Sequence, residues 1–251
     1  DALCVGTDEI KFLGSSLEGH EESSAILEDI TDAVITGLTD YCRKSGITRI
    51  VLGLSGGIDS AVAACVACAA VGPSNVLGIA MPSRFSSQHS LDDAQYTAEA
   101  LGMEFKIEAI DDMHSTLESK IGGVLTAGNP VALENIQSRL RGIIVMAHAN
   151  AENRMAIATG NKSELAQGYC TLYGDMAGGY TPLGDLYKMQ VYALAEIFNH
   201  RAVQDGSTPP VNNSTLTKPP SAELAPDQKD EDSLPPYEVL DEILRLHIEQ
   251  T

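Results

Sequence analysis

Residues 49–61 read RIVLGLSGGIDSA, and this stretch predicts the local structure around which the rest of the chain is interpreted. The β-branched and leucine run at residues 50–54 has the length and composition of a buried strand. It is followed by the glycine-containing turn SGGIDS at residues 55–60, and the alanine-rich stretch 59–71 is typical of a helix. A strand, a glycine turn and a helix together direct free backbone N–H groups toward a phosphate. We therefore expect an anion site at this turn.

The residue types of the turn narrow the kind of phosphate site. Gly56 and Gly57 allow a close approach of the backbone to an anion, and Ser55 and Ser60 add hydroxyl donors. No lysine follows the glycines, so the turn is not a Walker A loop, and its spacing is not that of a dinucleotide GxGxxG. Asp59 would repel a phosphate unless a cation lay between them. Mg²⁺, which binds carboxylates and substrate phosphates together, meets that need.

An ordinary strand–helix turn with Asp59 as a helix cap would be the simpler interpretation. However, S-G-G-x-D-S resembles at every fixed position the pyrophosphate-binding loop of N-type ATP pyrophosphatases, which split ATP between the α and β phosphates. Three further segments match in the right order: ENIQSRLR at 134–141, ATGNKSELAQGYCTLYGDMAGG at 158–179 and PPSAELAPDQKDEDSLPP at 219–236. With the loop, they resemble NAD synthetases, in particular the synthetase domain of the glutamine-dependent form, over about residues 30–250.

The resemblance implies a specific reaction. NAD synthetases amidate deamido-NAD to NAD with ATP and ammonia, through an acyl-adenylate, and release AMP and pyrophosphate. Two alternatives stay open. One is another ATP pyrophosphatase, such as a GMP synthetase or a tRNA-modifying enzyme. The other is a non-catalytic nucleotide-binding module, although such a module would not need Asp59, Glu164 and Lys188 together.

The resemblance also assigns roles to individual residues. Asp59 and Glu164 would hold Mg²⁺ on the ATP phosphates. Lys188 would supply the positive charge that the lysine of a Walker A loop provides at the phosphates and that this turn lacks. Asp175 would lie near the nicotinate group and, with Asp59 and Lys188, would contribute to catalysis. The predicted ATP-binding residues are Ser55, Gly56, Gly57, Asp59, Ser60, Arg84, Thr159 and Lys188, and the predicted deamido-NAD-binding residues are Asn135, Arg139, Arg141 and Asp175.

Charge and composition exclude some classes of partner. The 251 residues carry a formal net charge of -19, with 35 acidic against 16 basic residues. This balance argues against binding to nucleic acid or to anionic membranes. No apolar run reaches the roughly 18 residues of a transmembrane helix, and no signal peptide is visible. The five cysteines, an odd number without a disulfide framework, favour a reducing compartment, and we expect a cytoplasmic protein. Cys65 and Cys68 are expected to lie on a buried helix face.

The order of elements predicts the fold class. Residues 1–22 are expected to be irregular and residues 23–251 to form one synthetase domain. We predict strands at 50–54, 76–81, 104–110 and 155–159, helices at 23–45, 59–71, 92–101, 111–121, 131–150, 161–169, 185–201 and 237–250, and a loop at 122–130. This alternation predicts an α/β fold, a Rossmann-like parallel sheet with helices on both faces. The family resemblance makes it adenine nucleotide alpha hydrolase-like.

Residues 205–236 and the chain ends carry further expectations. The segment 205–236 is rich in Pro, Ser, Thr and Asp, and it resembles a mobile loop that closes over substrate. The C-terminus, inside an amphipathic pattern, looks truncated. The resemblance implies a homodimer with the 131–150 helix near the interface. No segment here resembles a glutaminase, so the full-length protein could carry such a domain elsewhere.

Overall fold

The computed structural model describes residues 17–126, 131–225 and 228–249. The strands are β1 (Ile50–Gly53), β2 (Val76–Ala80), β3 (Glu104–Ile107) and β4 (Met155–Ala156). The helices are α1 (Leu17–Ser45), α2 (Ile58–Val71), α3 (Gln88–Leu101), α4 (Asp111–Thr126), α5 (Val131–Ala151), α6 (Lys162–Gln167), α7 (Lys188–Gln204), α8 (Asn213–Thr217) and α9 (Tyr237–Glu249). No helix among these residues is long and apolar enough to cross a membrane.

The described strands form one parallel sheet in the order β3-β2-β1-β4. β1 pairs with β2 in the register Ile50 to Val76, and with β4 in the register Ile50 to Met155. The chain therefore runs outward from β1 to β3 and then returns to the other side of β1. The strand order reverses between β1 and β4, and in such sheets ligands bind beyond the carboxyl ends of the strands at this point.

Helices cover both faces of the sheet, which confirms the predicted fold class. Alternate residues of β1 belong to different cores, because side chains alternate across a strand. Ile50 and Leu52 pack with residues of α1, α2, α3 and α7, while Val51 packs with Leu140 and Ile144 of α5. β1 is thus buried from both sides, which explains why its sequence is a continuous apolar run.

Helix α2 lies deepest in the fold. Its nine consecutive positions from Ser60 to Cys68 consist of alanine, valine and cysteine apart from Ser60, and all nine are buried. Cys65 and Cys68 are part of this core, as predicted, and the thiol of Cys68 lies 3.8 Å from the sulfur of Met103. Small side chains let α1, α3, α7 and the sheet all approach the helix.

Several predicted boundaries are wrong. Helix α1 begins at Leu17, so 17–22 are helical, while 1–16 lie outside the described residues. Helix α3 begins four residues before the predicted start, where the Ser87 side chain accepts the Ser90 N–H at 3.2 Å as an N-cap. Helix α4 continues through Gly122 and Gly123 to Thr126, because two glycines cost a helix only about 1 kcal/mol each. The rest of the predicted 122–130 loop, from 127, is not described.

The predicted strand at 104–110 ends at Ile107, and the one at 155–159 is reduced to Met155–Ala156 with an isolated bridge from Ile157 to Tyr180. The predicted helix at 185–201 begins at Lys188 instead. The segment 205–236 also contains regular structure: α8 and a 3-10 turn at Asp230–Asp232. Of the predicted 237–250 helix, residue 250 lies beyond the described range.

Candidate functional site

The turn after β1 has the geometry of an anion site. Gly56 has φ +81, and a Cβ atom there would lie 2.1 Å from the backbone oxygen of Ser90, so only glycine fits. Helix α2 begins directly afterwards, with Gly57 as N-cap and no side chain capping it. Its first N–H groups therefore point out of the fold with no intrahelical partner.

The two serines of the turn hold its shape. Ser60 Oγ donates to the Gly57 carbonyl at 3.0 Å and accepts from the Ser55 N–H at 3.2 Å. Ser55 Oγ accepts the Gly57 N–H at 3.2 Å and lies 3.1 Å from Ser60 Oγ. These hydroxyls preorganise the loop and accept the N–H groups of Ser55 and Gly57, so the first N–H groups of α2 are the main backbone donors left for a phosphate.

Asp59, Glu164 and Lys188 form one compact charged cluster, although they come from three different helices. Lys188 Nζ donates to Asp59 Oδ2 at 2.5 Å and to Glu164 Oε1 at 3.3 Å. The lysine side chain is only 2% exposed. Burial opposes its charge, but the two carboxylates outweigh burial and raise the pKa of Lys188 well above its usual range. It is therefore a permanent cation at neutral pH.

The carboxylates are held in place by Asn161. Its Nδ2 donates to Asp59 Oδ1 at 2.7 Å, while Asn161 and Glu164 form a capping box at the start of α6. Burial raises the pKa of Glu164, the negative charge of Asp59 raises it further, and Lys188 opposes the rise. Sequence reasoning missed Asn161, but the N-x-x-E spacing of a capping box was visible at 161–164.

The charged cluster lies in a cleft of about 360 Å³ at the carboxyl edge of the sheet. Nine of the predicted site residues line this cleft: Ser55, Gly57, Asp59, Ser60, Arg141, Thr159, Glu164, Asp175 and Lys188. The cleft thus contains the glycine turn together with Arg141 and Asp175, two of the four residues predicted for the second substrate.

Four predicted residues do not line the cleft. Gly56 faces the start of α3 with its backbone. Arg84 is exposed and turns toward α4, where its guanidinium donates to Ser115 Oγ at 3.0 Å and lies 3.5 Å from Glu118. Asn135 and Arg139 both bind the segment after α6: Asn135 Oδ1 accepts from Thr171 Oγ1 at 2.8 Å, and Arg139 Nε donates to the Leu172 carbonyl at 3.2 Å.

Arg141 and Asp175 lie on the side of the cleft formed by α5. Arg141 Nε donates to the Met81 carbonyl at 3.0 Å, and burial lowers the pKa of Arg141 to about 10, so the guanidinium stays charged at neutral pH. Asp175 accepts from Ser138 Oγ at 2.9 Å and from the Thr171 N–H. Arg141 points away from Asn135 and Arg139, as the helical spacing predicts.

The segment 218–224 covers the cleft and is fixed by a glutamate. Glu223 Oε1 accepts from Ser90 Oγ at 2.7 Å and from Ser87 Oγ at 3.0 Å, at the N-terminus of α3. Gln137 Nε2 donates to the Leu224 carbonyl at 2.8 Å. At the other end of the segment, Lys218 Nζ donates to the buried Asp93 at 2.8 Å. Residues 218–224 of the predicted 205–236 loop therefore line the cleft in this structure, and residues 226–227 of that loop are not described.

Comparison with known proteins agrees with the fold. A glutamine-dependent NAD(+) synthetase of Rhodobacter capsulatus is 51% identical over 223 residues, covering 86% of this chain and 40% of that protein. The structure of a glutamine-dependent NAD+ synthetase from Acinetobacter baumannii in complex with ADP is 35% identical with a TM-score of 0.72, over 89% of this chain and 39% of that one.

A shorter structural relative matches over most of its own length. The NMN synthetase of Francisella tularensis is 32% identical with a TM-score of 0.75, and the alignment covers 87% of this chain and 85% of that one. By contrast, the chain spans about 40% of the length of the curated relatives it matches. The family model described as NAD synthase matches residues 30–251, and this chain belongs to that family.

Proposed function

We propose that this chain catalyses the ATP-dependent amidation of deamido-NAD to NAD, releasing AMP and pyrophosphate. The observation that carries the proposal is the junction of Asp59, Glu164 and Lys188 beside the phosphate turn, within one cleft. A binding module could use the glycine turn alone. A buried lysine held between two carboxylates beside the same turn provides fixed charges. Such charges are expected where negative charge is redistributed among phosphate groups during a reaction.

The carboxylate pair fits a divalent cation. A cation, the Lys188 ammonium, already lies between Asp59 and Glu164, and each bonded carboxylate oxygen keeps a second lone pair. Two carboxylates together with substrate phosphates are the donor set that Mg²⁺ prefers. Asp59 and Glu164 would hold it there, and when bound it would neutralise charge on the ATP phosphates.

The reaction needs two displacements. A nicotinate carboxylate oxygen attacks the α-phosphorus of ATP, the bond from that phosphorus to the bridging oxygen breaks, and pyrophosphate leaves. The nitrogen of ammonia then attacks the acyl carbon, AMP leaves, and the nitrogen loses a proton to water. The N–H groups of the turn and Lys188 would bind the departing pyrophosphate, and Arg141 would bind an anionic group of the second substrate.

The segment 218–224 would protect the intermediate. An acyl-adenylate hydrolyses if water reaches it, and a segment held beside the cleft by Glu223 would exclude water. Positioning and charge neutralisation account for the chemistry, so the proposal assigns no covalent nucleophile to the protein.

The nitrogen source and assembly are part of the proposal. The curated relatives are named glutamine-dependent and are about 2.5 times longer than the match, so a longer polypeptide could deliver ammonia from its own glutaminase domain. We expect this chain alone to use ammonium. We also propose that it forms a homodimer through α5, on which Ile143 is 60% and Met146 38% exposed, and that it acts in the cytoplasm.

A second substrate deserves a direct comparison. The NMN synthetase match covers 85% of that relative, so the mononucleotide analogue of deamido-NAD is the competing acceptor. The test supplies ATP, Mg²⁺ and either ammonium or glutamine, with deamido-NAD, nicotinate mononucleotide or xanthosine monophosphate as acceptor. We expect NAD from deamido-NAD and ammonium. Faster amidation of the mononucleotide would replace the proposed acceptor, amidation of xanthosine monophosphate would overturn the reaction, and equal rates with ammonium-free glutamine would overturn the nitrogen source.

A further inference from the structure

Asp241 of α9 binds two other helices near the charged cluster, yet it does not line the cleft. It is 7% exposed. Its Oδ1 accepts from Ser163 Oγ at 2.5 Å, and its Oδ2 accepts the N–H of Met189 at 2.8 Å. A buried carboxylate is costly unless it is well bonded, so this one is positioned by specific partners on α6 and α7.

Both partners are next in sequence to residues of the charged cluster: Ser163 precedes Glu164, and Met189 follows Lys188. Ser163 Oγ, which donates to Asp241, accepts the N–H of Lys188 at 2.9 Å. The first N–H groups of a helix have no intrahelical partner, and Asp241 satisfies those of Lys188 and Met189, one through Ser163 and one directly. The backbone from which the Lys188 side chain departs is thereby fixed.

We propose that Asp241 is a positioning residue for the phosphate-and-metal corner of the cleft, which consists of the glycine turn and the charged cluster. It acts through Ser163 and the start of α7. The proposal rests on the proposed function for the ligand that this corner binds. Because the Lys188 side chain is almost fully buried, its direction is set by its backbone. A shift at the start of α7 therefore moves the ammonium relative to Asp59 and Glu164.

The hydrogen bonds make a graded set of variants available. Asp241→Ala removes both acceptors, and Ser163→Ala removes only the link to Lys188. Asp241→Asn conserves the connections if its amide nitrogen donates to Ser163 and its amide oxygen accepts from Met189. Glu238→Ala is the matched control: it removes a carboxylate from α9 one turn earlier, where the side chain is exposed.

The measurement is the binding of Mn²⁺ together with a non-hydrolysable ATP analogue, monitored by calorimetry and by electron paramagnetic resonance of the bound ion. The kcat and the KM for ATP are measured on the same proteins. Stoichiometry from the calorimetric titration counts folded sites, so a misfolded fraction lowers the stoichiometry and leaves the affinity of the folded sites unchanged. We expect Asp241→Ala and Ser163→Ala to weaken binding about 10-fold or more, as changes to partners of metal ligands do. Asp241→Asn should bind close to the unsubstituted chain, and the double Ala variant should be no weaker than Asp241→Ala.

Two outcomes would overturn the inference. One is folded Asp241→Ala and Ser163→Ala proteins that bind and turn over as Glu238→Ala does. The other is a double variant whose losses simply add, since Asp241 would then not act through Ser163. If Asp241→Ala does not fold, the inference is tested by comparing the binding affinity of Ser163→Ala with that of Asp241→Asn. Failure of the proposed reaction has a different signature: the unsubstituted chain binds the analogue and yields no amide.

Discussion

Lys188 Nζ lies 2.5 Å from Asp59 Oδ2, although 129 residues separate the two in the chain. The pair joins the start of α7 to the start of α2, across the point where the strand order of the sheet reverses. Under the proposed function, this ammonium would become available to the phosphates once substrate and a divalent ion bind. The charged cluster is therefore both an element of stability and the proposed catalytic corner.

Removing the Lys188 ammonium should leave the Asp59 and Glu164 carboxylates repelling each other. We expect Lys188→Met to lower the free energy of unfolding by about 3–5 kcal/mol, because a buried pair loses one partner. Millimolar Mg²⁺ should then raise the unfolding temperature more in the variant than in the unsubstituted chain, measured by circular dichroism. Lys44→Met, which removes an exposed pair with Asp40, is the control. An equal Mg²⁺ effect in all three proteins would contradict the cation position.

Asp59→Asn tests the predicted metal ligand. The variant keeps the size of the side chain and removes the negative charge beside the phosphate turn. We expect Mg²⁺-dependent pyrophosphate release to fall about 100-fold or more. Asp92→Asn, an exposed change on α3, should leave the rate unchanged. Unchanged turnover by Asp59→Asn would remove this residue from the site.

Glu223→Ala should loosen the segment that covers the cleft. The side chain accepts from Ser87 and Ser90, and its residue has a positive φ of 49, so its loss removes the bonds that hold this backbone shape. We expect faster trypsin cleavage after Lys229, identified by mass spectrometry of the free protein. Glu231→Ala, an exposed position elsewhere in the 205–236 loop, is the comparison. Cleavage at the same rate in both would show that Glu223 does not restrain the segment.

His148 should make stability depend on pH. Its hydrogen bond with Glu152 at 2.7 Å raises the pKa of His148, burial opposes the rise, and Glu108, also at 2.7 Å, adds to it. A raised histidine pKa stabilises the fold at pH below about 6.5, the unfolded value, and this stabilisation is lost as pH rises through the folded pKa. The unfolding temperature should fall more between pH 6 and pH 8, roughly one unit on either side of neutrality, than it does in His148→Gln. The exposed His200→Gln should behave as the unsubstituted chain does, and parallel curves for both variants would refute the effect.

Ile143→Glu tests the proposed homodimer. Ile143 is 60% exposed on α5, and a carboxylate in an apolar interface without a partner opposes association. We expect sedimentation to give a dimer for the unsubstituted chain and a monomer for the variant. Val203→Glu, at a 62% exposed position at the end of α7, controls for added charge. A monomeric unsubstituted chain with full activity would contradict the proposal.

The sequence predicts the parallel sheet, its helices on both faces and the proximity of the loops after β1 and β4. These follow from local patterns: the apolar run of β1, its glycine turn and the alternation of elements. Asp59 and Glu164 lie in one cleft because strand ends meet at one edge of the sheet. Their roles stay predictions, as do those of Thr159 and Asp175.

Other features depend on contacts that no local pattern encodes. Arg84 follows β2 at the expected edge, yet Ser115 and Glu118 of α4 draw its guanidinium outside the cleft. Asn135 accepts from the Thr171 hydroxyl and Arg139 donates to the Leu172 carbonyl, because α5 faces that segment. Asp241 has an ordinary position in an amphipathic helix, and its importance emerges only when α6 and α7 pack against α9.

The small residues of α2 have a consequence for natural variation in this protein. Ala61, Ala63, Ala64 and Ala67 have no exposed surface, and the same helix begins at the phosphate turn. A larger side chain in the middle of the helix would push its axis away from the sheet, since close-packed cores absorb added volume by backbone shifts. The N–H groups at its first turn would move with it. Sequence drift in this part of the interior should therefore change nucleotide binding as well as stability, so core substitutions far from the cleft should alter nucleotide use.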